Sequence, residues 1–204
     1  MVEPDEGLRG AAATSIVPLM TVSNQAGSTL KSDRRFVVLP SKPGLVDGEE
    51  RTVRYLRLSV TDRCQYRCHY CLPADNVVFV PRKHLLTFDE LERLVRVFVS
   101  LGINRVRLTG GEPTLRRDLP ELVERIARVE GLVDLAMTTN GDRLPALAAP
   151  LRAAGLGRVN VSLDTLDEEK FARITRTGRL HRVLAGLDAA LEAGFSSVKL
   201  NVVV

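Results

Sequence analysis

The chain has 204 residues, enough for one domain and a tail, with an ordinary apolar share of 45% and a net charge of +4. Aromatic residues are 4% and Trp is absent, which argues against a surface for stacking nucleic-acid bases. No apolar run approaches the roughly 18 residues of a membrane span, and the start "MVEPDEGLRG" is acidic where a signal peptide is basic. The modest positive charge suits solubility or a small anionic ligand. A cytoplasmic protein is expected, with no membrane or nucleic-acid partner.

Residues 1–50 are rich in Gly, Pro, Ser and charge and show no period of 2 or 3.6. They are expected to be a mostly disordered extension, with order beginning near Gly44. From Tyr55 the pattern changes. "YLRLSV" alternates as a strand. "TFDELERLVRVFVSLG" predicts a helix: Thr87 and Glu90 form a capping box, Leu91, Leu94, Val95, Phe98 and Leu101 line one face, and Gly102 ends it. "INRVRLT" is the next strand. The unit then repeats, with helices from near Asp118 to Gly131, from about Leu144 to Gly155, after Asp167, and from about Leu180 to Gly194. Strands follow at "LVDLAMT", "GRVNVSLD" and "SSVKLNVVV". Alternating strands and helices predict a parallel sheet with crossover helices.

The strands themselves alternate. Leu56, Leu58 and Val60 interleave with Arg57 and Ser59. Val106 and Leu108 interleave with Arg105, Arg107 and Thr109. Val159, Val161 and Leu163 interleave with Asn160, Ser162 and Asp164, and Val198 and Leu200 with Lys199 and Asn201. An open parallel sheet covered on both faces reads as continuous apolar runs. One apolar and one polar, basic face instead predict an α/β fold of the (βα)-barrel kind, with the helices outside and a polar lumen that needs a ligand. An antiparallel sheet with one wet face is the alternative, and the intervening helices speak against it.

The loop after the first strand, "CQYRCHYC", holds all three cysteines, Cys64, Cys68 and Cys71. It sits at a C-terminal strand end, where such barrels place their chemistry. An odd, close-set trio does not suit a secreted disulfide framework. The C-x3-C-x2-C spacing admits a zinc site completed by a remote residue. It also admits a 4Fe–4S cluster whose fourth iron has no protein ligand, and this is the better fit. His69 is too tightly placed between Cys68 and Cys71 to join the same tetrahedron easily. His84 and His181 are isolated.

This loop, with Tyr70 before its last cysteine, resembles the signature of the radical S-adenosylmethionine superfamily. "TGGEPTLRRDL" (Thr109–Leu119) is similar to that superfamily's Gly-Gly-Glu motif. With "MTTNG", "RVNVSLDTLD" and "VKLNVVV", the chain from about residue 44 resembles the GTP 3',8-cyclases of molybdenum-cofactor biosynthesis, the MoaA family.

The resemblance implies a 4Fe–4S cluster on Cys64, Cys68 and Cys71 and S-adenosylmethionine contacts at Tyr70, Gly111, Glu112 and Ser162. It also implies GTP contacts at Arg57, Arg107, Thr138 and Lys199, a lyase that forms 3',8-cyclo-7,8-dihydroguanosine triphosphate, a one-electron donor such as flavodoxin or ferredoxin, and a homodimer. That family has six βα units and a second cluster on C-terminal cysteines. Here five strands are predicted and no cysteine follows Cys71. A radical S-adenosylmethionine core over 51–204, incomplete after its fifth strand and with doubtful activity, is therefore expected. The alternatives are the same chemistry on a peptide or nucleoside, or a non-catalytic zinc module.

Overall fold

The computed structural model describes residues 44–203. The extension expected over 1–50 lies outside the described residues as far as residue 43. From Gly44 onward the chain is ordered into a small hairpin, β1 (Leu45–Val46) paired antiparallel with β2 (Thr52–Val53). Two-residue strands are too short to show a period, so the sequence does not reveal them. Asp47 closes the turn, accepting from the backbone N–H groups of Glu49 and Arg51 at 2.9 and 3.0 Å.

A five-stranded sheet follows, every strand parallel and in sequential order. Its strands are β3 (Tyr55–Ser59), β4 (Arg105–Thr109), β5 (Asp134–Thr139), β6 (Arg158–Ser162) and β7 (Ser197–Asn201). The helices between them are α1 (Phe88–Ser100), α2 (Leu119–Ala127), α3 (Leu144–Ala153), α4 (Glu168–Thr175) and α5 (Leu180–Glu192). This is the α/β fold expected, a partial (βα) barrel.

Each helix is set by its own sequence. Thr87 and Glu90 form the predicted capping box on α1, and Asp167 caps α4 by accepting from Lys170 N at 2.7 Å. Gly102, Gly131, Gly155 and Gly194 all have positive φ and turn the chain from helix to strand. α2 stops at Ala127, short of Gly131. The segment that follows is tightened by Val129 N donating to Ile126 O at 3.0 Å and Leu132 N to Val129 O at 3.2 Å.

The core lies between the apolar sheet face and the helices. Leu58, Val106, Leu108, Leu135, Met137, Val159 and Val161 from the strands pack with Leu91, Val95, Leu122, Val123, Ile126, Leu151 and Val183 from the helices. The opposite face carries the polar positions. Because parallel strands in register align their pleats, these form rows: Arg57 opposite Arg107, Thr138 opposite Asn160, Asn160 opposite Lys199, and Ser162 opposite Asn201. Among the described residues no helix is long and apolar enough to cross a membrane.

Candidate functional site

All five sheet strands end at one rim. The loop after β3 crosses that rim and touches the ends of the other strands. Two glycines allow the first crossing. Gly111 N donates to Thr61 O at 2.8 Å, and Glu112 N donates to Arg63 O at 2.7 Å. A Cβ on Gly111 would lie 2.4 Å from the Arg63 carbonyl oxygen, so no other residue fits without moving backbone.

Further along, Gln65 Nε2 donates to Asn140 Oδ1 at 3.4 Å beyond β5. The buried Tyr66 packs edge-on against Phe171 and donates its hydroxyl to Asp142 at 3.3 Å. Tyr70 donates to Asp164 Oδ2 at 2.8 Å beyond β6, and Asp164 Oδ1 accepts from Val203 N at 2.9 Å beyond β7. Burial and the neighbouring carboxylate push the phenols of Tyr66 and Tyr70 well above the usual range. Both therefore stay neutral donors.

Cys64 and Cys68 are half-buried, Cys71 is exposed, and all three are free thiols. Burial pushes the Cys64 thiol up. Burial, then repulsion from the Cys64 and Cys71 thiolates, pushes Cys68 up to about 11. Three thiolates that repel one another need a cationic centre to ionise together. Among the described residues, no three His, Cys, Asp or Glu side chains gather closely enough to hold a single metal ion. A lone zinc would need sulfurs all about 2.3 Å from one point. A cluster that takes one thiolate on each of three irons spreads its ligands more widely. His69 points its ring edge-on at Tyr70, with centroids 5.4 Å apart.

Glu112, which the resemblance sets against the amino group of S-adenosylmethionine, follows the glycine pair of the loop after β4. The structure places it inside the protein, 1% exposed, with both oxygens engaged. Oε1 accepts from Thr114 N, Thr114 Oγ1 and Thr139 Oγ1 at 3.0, 2.6 and 2.7 Å, and Oε2 accepts from Asn140 N at 2.7 Å. Burial raises its pKa, and these donors partly offset the rise. Glu112 braces the loop after β4 against the loop after β5.

The cations expected to meet a nucleotide lie on the polar face. Arg57 is exposed. Arg107 is half-buried with its guanidinium 5.4 Å from the Tyr55 ring centroid, and its Nε has no hydrogen-bond partner among the described residues. Arg57 and Arg107 are adjacent across β3 and β4, while Thr138 and Lys199 flank Asn160 one row nearer the rim. Arg158 on the same face is paired with Asp134. Arg57, Arg107 and Lys199 form no salt bridge among the described residues. Ser162 and Gly111 sit at the rim beside the cysteine loop.

Several residues of the site gave no signal beforehand. Asp142 lies in no quoted motif, and Asp164 reads only as a polar position of the alternating strand. Gln65 Oε1 and Asn140 Nδ2 are buried without partners among the described residues, and only the quoted "MTTNG" hints at the second.

The chain is 57% identical over 160 residues to a protein of Marinobacter nauticus named GTP 3',8-cyclase, covering 78% of this chain and 48% of that one. It is 54% identical over 159 residues to GTP 3',8-cyclase 1 of Pseudomonas aeruginosa, again covering 78% and 48%. The chain thus spans about half the length of the curated relatives it matches.

Among solved structures, SuiB of Streptococcus suis bound to its precursor peptide superposes with a TM-score of 0.59 at 20% identity, covering 73% of this chain and 32% of that one. Methylornithine synthase (PylB) gives 0.56 at 17% identity, covering 72% and 44%. These two share the fold. The profile of the Radical SAM superfamily matches residues 58–204, most of the chain, from the end of β3 through β7. With its cysteine loop laid over the C-terminal rim of a parallel sheet, this chain belongs to the radical SAM superfamily.

Proposed function

We propose that this chain acts as a GTP 3',8-cyclase in molybdenum-cofactor biosynthesis, a lyase. In this reading Cys64, Cys68 and Cys71 would hold a 4Fe–4S cluster, and Tyr70, Gly111, Glu112 and Ser162 would contact S-adenosylmethionine. When bound, cluster and S-adenosylmethionine together supply a primary carbon radical able to take a hydrogen atom from the ribose of GTP. The protein's own residues do the rest. Arg57, Arg107 and Lys199 offer uncompensated charge to a triphosphate. Thr138 lies in the same row as Lys199 and orients the nucleotide. Gly111 lets the loop after β4 approach without a side chain in the way. Tyr66 and Tyr70 hold the cysteine loop across the rim. A one-electron donor of the flavodoxin or ferredoxin class, a homodimer and a cytoplasmic setting belong to the same reading, as does a core domain over 51–204.

The observation that carries the proposal is one of placement. Three thiols lie in the loop after β3, at the strand-end rim, and the same sheet carries Arg57, Arg107 and Lys199 with no salt bridge among the described residues. The naming of the relatives supplies the nucleotide. The test is anaerobic reconstitution with iron and sulfide, then incubation with dithionite, S-adenosylmethionine and GTP. Mass spectrometry should find 5'-deoxyadenosine and a cyclised nucleotide isobaric with GTP. Zinc in place of iron, or 5'-deoxyadenosine output that ignores GTP with no nucleotide product, would overturn it.

A further inference from the structure

The cysteine loop is held largely from a distance. Within Gln65–Leu72 the backbone bonds to itself through Cys71 N and Leu72 N, which donate to the Cys68 carbonyl at 2.9 and 3.1 Å. Arg67 adds its guanidinium, donating to Cys64 O at 2.6 Å and Tyr66 O at 2.9 Å. Further backbone partners come from the C-terminal end of α4 and the turn that follows it. Arg67 N donates to Thr175 O at 3.1 Å and His69 N to Ile174 O at 3.0 Å. Thr177 Oγ1 donates to Gln65 O at 2.8 Å. Arg176 Nη1 donates to both Arg67 O at 3.2 Å and Leu72 O at 3.4 Å.

Arg176 makes these contacts from a costly backbone. Its φ is 62° and ψ −40°, and Thr177 N donates across it to Thr175 O at 2.8 Å. That is a γ-turn of the rare, strained kind, which glycine would adopt freely. Strain of this sort persists where the surroundings require it. Here the surroundings are two carbonyls that bracket Cys68 and Cys71.

We propose that Arg176 is a positioning residue for the cysteine loop. Its guanidinium, aimed by the strained turn, ties the Arg67 and Leu72 carbonyls together and so fixes how far apart the cysteines stand before any cofactor binds. The consequence for iron rests on the cluster reading above, while the consequence for loop order does not.

The test separates the two. Hydrogen exchange is measured by mass spectrometry on the iron-free full chain, wild type against Arg176→Gly, over peptides covering 64–72. Release of iron to a chelator is measured on the reconstituted proteins. Arg176→Gly relieves the turn, so its melting temperature should hold or rise. Exchange in 64–72 should nonetheless quicken about fivefold, the effect of losing roughly one net hydrogen bond's worth of restraint. Iron release should quicken with it. Arg176→Lys should fall between, since an ammonium keeps the charge but lacks the planar fork. Added guanidinium ion should slow exchange in Arg176→Gly and leave the wild type unchanged. If the glycine variant misfolds, Arg176→Met keeps the backbone strain and stem and is read the same way. Exchange and iron release equal to wild type in a folded variant would reduce Arg176 to a turn residue. A wild type that takes up no iron would sink the cluster reading, and the exchange result would still decide the clamp.

Discussion

The loop after β3 and the loop after β4 leave the same rim side by side, bonded to each other through Thr61 and Arg63, yet they are held in opposite ways. The loop after β4 is sealed. Gly111 is pressed against backbone, Glu112 is buried with four donors on its carboxylate, and Pro113 and Thr114 are buried beside it. The loop after β3 is half-open. Its cysteines are free, and Asp62 Oδ1, Arg63 Nε and Gln65 Oε1 are buried without partners among the described residues. Buried polar atoms cost stability unless something satisfies them. A loop that tolerates several of them beside three thiols is arranged for a ligand. Its neighbour is braced through the Glu112 carboxylate and serves as the support.

If that division is right, the largest effect comes from the open loop and leaves the fold intact. Cys68→Ala should abolish iron binding in the reconstituted chain while the melting temperature stays near wild type. His69→Ala should keep its iron. A Cys68→Ala protein that remains brown, or iron lost on removing His69, would break the comparison on the chemical side.

The sealed loop should fail in the reverse manner. Gly111→Ala forces a Cβ to within 2.4 Å of the Arg63 carbonyl oxygen, which is backbone and cannot rotate away. The expected loss is about 3 kcal/mol of unfolding free energy, at the upper end for overpacking, read by urea denaturation. A variant of wild-type stability would mean that the two loops are not locked.

Much of this contrast was visible in the chain, and the missing part has a common cause. The strands were legible because one face is greasy, and the helix ends because four glycines punctuate them. The cysteines announce themselves by spacing. What stayed hidden depends on partners distant in sequence. Glu112 after two glycines reads as an exposed acid, and only the placement of Thr139 and Asn140 buries it. Arg176 reads as a solvated charge, because its partners Arg67 and Leu72 lie 109 and 104 positions away.

Below both loops, the polar face offers a sharper test of what the site holds. Arg107→Ala and Lys199→Ala should each weaken GTP binding by about 1.5–3 kcal/mol, the range for a hydrogen bond to a charged group. Isothermal titration against GTP and guanosine reads this. The loss should appear for the triphosphate and nearly vanish for the nucleoside. Equal losses for both would place the two side chains away from the phosphates.

The smallest effect is a pH slope, and it tests the seal itself. Burial raises the Glu112 pKa, and the donors from Thr114, Thr139 and Asn140 recover only part of the shift. In the window between the ordinary carboxylate range and the raised value, the native chain therefore holds a proton that the unfolded chain has lost. Stability falls as pH rises through that window, then levels off once both states are ionised. A full proton of difference gives at most about 1.4 kcal/mol per pH unit. Glu112→Gln cannot titrate, so it should lack the slope. It should also carry a constant penalty, because its amide nitrogen must face a backbone or hydroxyl donor where an oxygen stood. Subtracting the two stability curves, measured by denaturant unfolding from mildly acidic to neutral pH, cancels every other titrating group. The difference should change across the window, with wild type losing ground as pH rises. A flat difference would mean that the four donors offset burial in full and hold Glu112 ionised throughout.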